Sequence, residues 1–128
     1  MIRGAHIILL SAARAYTPII AVFAFAVLAL TPAGAGAGFL AGLAFALALT
    51  LHALVFGADA ARQVSPPAAT RLVLSAGLVL CVACAGAPGF AWSAQVMEAG
   101  LFAVTCGASA LFLSALFGRA PSLRDEDW

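Results

Sequence analysis

This chain predicts an all-α integral membrane protein with four transmembrane helices, short loops and both termini in the cytoplasm. Three observations carry that reading. The 128 residues are 65% hydrophobic and 9% charged, with a mean hydropathy of +1.12, far more apolar than a soluble domain of this size can hide. No charge falls between Arg14 and Asp59, between Arg71 and Glu98, or between Glu98 and Arg119. At about 20 residues per crossing, the first gap holds two passes and each of the others one. The six basic residues are Arg3, Arg14, Arg62, Arg71, Arg119 and Arg124. A four-pass chain puts them all on one side, which the positive-inside rule makes cytoplasmic.

The first helix is expected over residues 8–30. Arg14 can snorkel at its cytoplasmic end and Tyr16 suits the interface. Pro18 removes one intrahelical hydrogen bond, which membrane helices tolerate when neighbours satisfy the freed carbonyl. A cleaved signal sequence is the rival reading of Arg3, Arg14 and the small run Ala33-Gly34-Ala35. The length of the apolar run and the later charge pattern favour a retained helix. The stretch Thr31-Pro32-Ala33-Gly34-Ala35-Gly36-Ala37-Gly38 breaks that helix, since each glycine costs roughly 1 kcal/mol relative to alanine. It predicts a short outer turn.

The second helix is expected over 38–57. Gly38 and Gly42 share one face, continued by Ala46 and Thr50, a stripe that lets another helix approach closely. Asp59 to Thr70, with Ser65-Pro66-Pro67, is expected to be a cytoplasmic loop. The third helix, over 71–87, is short for a crossing and ends at Gly86-Ala87-Pro88-Gly89. Trp92 belongs at headgroup level in the second outer loop. The fourth helix is expected over 96–117, with Gly100 and Gly107 as packing positions, and a solvated cytoplasmic tail over 118–128. One membrane domain then spans 1–128.

The same composition excludes classes of function. A net charge of +1 gives no basic surface for nucleic acid. Three cysteines within apolar runs give no disulfide framework. Cys81-Val82-Ala83-Cys84 has the spacing of redox and zinc sites, but zinc needs further ligands and none lies nearby in sequence, so packing is the expected role. With no soluble domain there is little room for a catalytic site, and neither an enzyme nor a cofactor is expected. The absence of lysine and asparagine with abundant alanine points to a GC-rich bacterial genome, hence the bacterial cytoplasmic (inner) membrane.

Few residues remain to carry chemistry. Glu98 is the only acid flanked on both sides by spanning-length apolar sequence. It is expected either as an interfacial cap on the dipole of the fourth helix or as a proton or cation contact at a subunit interface. His52 titrates near neutrality and could relay protons. Asp59 lies seven residues on, two turns along the same face, and Arg14 lies near the same membrane level. Thr105 is a small polar group in the fourth helix.

Gly36-Ala37-Gly38-Phe39-Leu40-Ala41-Gly42 and Met97-Glu98-Ala99-Gly100-Leu101-Phe102 resemble the MnhB-like subunit of the Mrp-type multisubunit sodium/proton antiporters. In that family a glycine-rich outer loop opens the second helix, and an acid followed by x-Gly and an apolar run opens the last. The likeness extends from Tyr16 to Phe117, with Gly36, Gly38, Phe39, Gly42, Glu98 and Gly100 as the matched positions. The family's loop often carries a histidine before its glycines; Thr31-Pro32-Ala33-Gly34-Ala35 has none, so that residue's role does not transfer.

The resemblance implies an accessory subunit of a complex that exchanges sodium for protons. Its expected partners are the other subunits, above all the largest, and membrane lipid. It also implies that Glu98, His52 or Thr105 could line part of the ion route. A small four-helix transporter acting as a homodimer is the alternative, but it needs a carboxylate in the first helix, and residues 8–30 have none. A purely structural or assembly protein is the third reading.

Overall fold

A computed structural model describes residues 2–117, with side chains from Gly4 onward. The expected tail, 118–128, with Arg119 and Arg124, lies outside the described residues, as does the side chain of Arg3. The described chain is all helical: α1 Ile2–Leu30, α2 Ala37–Phe56, α3 Ala58–Val64, α4 Pro67–Gly86 and α5 Ser93–Phe117. α1, α2, α4 and α5 are long and apolar enough to cross a membrane.

Several boundaries differ from the sequence expectation, for local reasons. α1 begins at Ile2 rather than at residue 8, because nothing before the apolar run breaks a helix except Gly4. The expected loop 59–70 holds α3 and the first turn of α4. Gly57 ends α2 with φ 90° and ψ 168° while its N–H bonds the Ala53 carbonyl at 3.0 Å; the left-handed φ is open to glycine at no steric cost. α3 follows with Asp59 in its first turn and Arg62 in its last, both favourable to its dipole. Pro66-Pro67, expected as loop, starts α4 instead: Pro66 is the extended N-cap and Pro67 takes the first helical position, where its missing N–H costs nothing. The third span is therefore 20 residues, long enough to cross a bilayer.

The spans form a row. α1 packs on α2, α2 on α5, and α5 on α4, so that α2 and α5 are central, while α3 lies against both at one end. The core is made of small residues: Ala13, Ala24, Ala37, Ala41, Ala48 and Ala53 are buried, with Leu49 and Cys106, and among the described residues no large side chain is fully enclosed. Large aliphatic residues point outward instead. In lipid the side chains gain little by hiding from a medium as apolar as they are, so close backbone approach holds the helices together.

Glycine sets those approaches. A Cβ added at Gly42 would come within 2.5 Å of the Thr105 Cβ on α5. One at Gly77 would lie 2.8 Å from the Gly100 carbonyl, one at Gly100 2.8 Å from the Cys81 Sγ, and one at Gly107 2.9 Å from the Leu74 Cβ. The Gly38–Gly42 stripe thus faces α5 of the same chain. Phe25, Phe45 and Phe102 add a three-ring contact across α1, α2 and α5, with centroids 5.5–6.0 Å apart, in edge and tilted arrangements favourable to aromatic pairs.

Candidate functional site: a carboxylate in the glycine loop

The glycines between α1 and α2 do more than break a helix. Gly34 and Gly36 have φ of 92° and 75°, a conformation in which successive backbone N–H groups converge on an anion. Gly36 is the N-cap of α2 and makes no side-chain capping bond with its own residue. The orphan donors of that helix start are met from another helix. Glu98 Oε1 accepts from Gly34 N at 3.1 Å and from Gly36 N at 3.0 Å, and Oε2 accepts from Gly38 N at 2.6 Å.

The carboxylate is thereby enclosed, with Glu98 only 7% exposed. A buried carboxylate is costly unless it is paired or hydrogen-bonded. Here three amide dipoles and the positive end of α2 supply what water would give. Gly38 is required for the fit, since an added Cβ would overlap the Glu98 backbone carbonyl oxygen and lie 2.9 Å from Oε2.

This geometry revises the expectation that Glu98 caps the dipole of its own helix. α5 begins at Ser93, not at residue 96, and has no acid in its first turn. Glu98 therefore does not cap its own helix; it caps α2. Nor does it stand on the outer surface of the chain.

A family model described as a domain related to the MnhB subunit of the Na+/H+ antiporter matches residues 8–121. The chain belongs to the MnhB family. It is a subunit of a multisubunit sodium/proton antiporter of that type and a multi-pass membrane protein. No curated protein and no solved structure matches it.

The other candidate residues of this MnhB-family chain fall into separate places. Thr105 packs on Gly42, and its hydroxyl donates to its own helix at the Leu101 carbonyl, 2.7 Å away. Phe39, beside the glycine loop, is exposed. Gly100 and Gly107 lie at the α4–α5 contact, and the Cys81 thiol packs on Gly100. Among the described residues no group of three or more His, Cys, Asp or Glu could hold a metal ion.

His52 and Arg14 gather at the opposite end of α2, joined through Phe56. The His52 ring lies 4.7 Å from that of Phe56, and the Arg14 guanidinium carbon sits 5.9 Å over the same ring. Asp59 does not join them on a shared helical face: Gly57 ends α2 before it, so the two-turn spacing from His52 runs along no single helix.

Sequence reasoning missed the partners of Glu98. Alternating glycines opposite a lone acid were the available signal, but they read equally well as a helix-breaking turn.

Proposed function

We propose that this chain is an accessory, scaffolding subunit of the antiporter in a bacterial cytoplasmic membrane, without an ion route of its own. The N-terminus, α3 and the C-terminus face the cytoplasm, and the glycine loop faces outward. The outward-pointing apolar faces of the row pack against the largest subunit, other small subunits and lipid.

The observation that supports this reading is the commitment of the Glu98 carboxylate to Gly34, Gly36 and Gly38. A carboxylate held by three amides of its own chain is a clamp that fixes the α1–α2 turn on α5. Along α1 and α2 the next charged or histidine side chains, Arg14 and His52, lie at the far end. Fourteen residues separate Gly38 from His52, about 21 Å along α2. Neither Thr105, bonded within α5, nor Asp59, exposed on α3, bridges that distance.

Glu98→Gln tests the proposal. Glutamine keeps the shape but replaces one acceptor oxygen with a donor facing backbone N–H groups. The expected result is a lower yield of complex, with cation-dependent proton exchange per assembled complex in vesicles unchanged. Full yield with reduced exchange would put Glu98 on the ion route and overturn the scaffold reading. Unchanged yield and exchange would show that the clamp contributes nothing.

A further inference from the structure

A groove of about 440 Å³ runs between α1 and α2 at the end away from the glycine loop. Its walls are almost wholly hydrocarbon, with Ala13, Pro18 and Ala21 on one side and Phe45, Ala48 and Leu49 on the other. Three residues with polar side chains border it as well: Arg14, His52 and Thr17. The Thr17 hydroxyl is buried and has no hydrogen-bond partner. Helical threonines commonly bond a carbonyl one turn back, so this orphan is unusual, and it lies one turn from Arg14.

Depth and charge decide what fits. Arg14 is sixteen residues before Leu30, about 24 Å along α1, against a hydrocarbon thickness of about 30 Å. Its guanidinium therefore emerges near the interface opposite the glycine loop, where phosphate groups lie. The hydrocarbon walls suit an acyl chain, and the exposed Arg14 at the edge of the groove suits an acidic headgroup rather than a partner's apolar helix.

We propose that the α1–α2 groove binds one acidic phospholipid from the leaflet on the Arg14 side. The guanidinium fork takes the phosphate, to which its geometry is matched, with His52 as a further donor. One acyl chain lies along Ala21, Ala48 and Phe45. Charge complementarity selects the acidic lipid, as basic residues at an anionic leaflet do elsewhere.

The test uses the purified complex with phosphatidylglycerol or phosphatidylcholine carrying a photoactivatable group in the acyl chain. Cross-linked peptides are then mapped. Phosphatidylglycerol is expected to label residues 13–21 and 45–56 roughly fivefold more than phosphatidylcholine. Arg14→Gln should abolish that preference and Arg14→Lys should keep part of it. Should the Arg14→Gln complex fail to assemble, Ala21→Leu narrows the groove without touching charge and must reduce labelling of these peptides only.

Four outcomes would overturn the proposal. Equal labelling by the two lipids, or a preference that survives Arg14→Gln, would deny the phosphate contact. Competition by inorganic phosphate would mean a soluble-anion site. Peptides unlabelled by either lipid in the intact complex would mean that a neighbouring subunit fills the groove.

Discussion

Replacing Gly38 with alanine probes the joint between α2, α5 and the Glu98 carboxylate at once. Propensity alone favours the change, since alanine is better than glycine in a helix by about 1 kcal/mol. Packing opposes it. The new Cβ would overlap the Glu98 carbonyl oxygen and lie 2.7 Å from its carbonyl carbon. Backbone cannot rotate aside as a flexible side chain can, so α5 must withdraw by roughly 1.5 Å to reach ordinary contact distance. Overpacking of this kind costs about 1–3 kcal/mol.

Withdrawal also stretches the 2.6 Å bond from Gly38 N to Oε2, a hydrogen bond to a charged group worth about 1.5–3 kcal/mol. Less the propensity gain, Gly38→Ala should destabilise the chain by about 1.5–5 kcal/mol. Heating the detergent-solubilised complex and following intact assembly by size exclusion reads the stability. Amide hydrogen exchange over residues 34–38 reads the clamp, and it should quicken. Gly4→Ala is the control, because a Cβ there meets nothing within 4 Å, and it should be neutral or slightly stabilising. Equal stability of the two variants, with residues 34–38 still protected, would refute the reasoning.

Gly100→Ala should destabilise the α4–α5 contact by about 1–3 kcal/mol, and Cys81→Ala in the same chain should relieve much of that, since the nearest obstacle is the Cys81 Sγ at 2.8 Å; thermal melts of the single and double variants check the coupling. Thr105→Val removes a hydroxyl whose bond stays within α5, so exchange in vesicles should remain at wild-type level, and a clear loss would place Thr105 on an ion route. Reporter fusions after Pro32 and Gly89 should report the outer compartment and fusions after Ser65 the cytoplasm, with the opposite pattern reversing the proposed topology.

Hydropathy and glycine spacing are properties of neighbouring residues, and they made the helical class, the four spans and the Gly38–Gly42 stripe legible in the chain alone. The motifs around Gly38 and Glu98 likewise carried the family. Helix starts were less legible where one residue has two local uses: Pro66-Pro67 serves a loop or the first turn of a helix, and only the backbone of α4 distinguishes them. Gly57 had the same ambiguity, and its left-handed φ separated Asp59 from His52.

The sequence by itself determined where the chain is apolar, where it breaks and which acid stands alone among the spans. Tertiary structure alone decided what that acid does. Glu98 bonds residues 60 to 64 positions away, and no local pattern encodes such a distance. Its partners are backbone N–H groups, which every residue except proline possesses, so residue identity cannot mark them. They become a binding site only when Gly34 and Gly36 turn left-handed and α5 packs closely enough on Gly38 to exclude the water that would otherwise solvate the carboxylate.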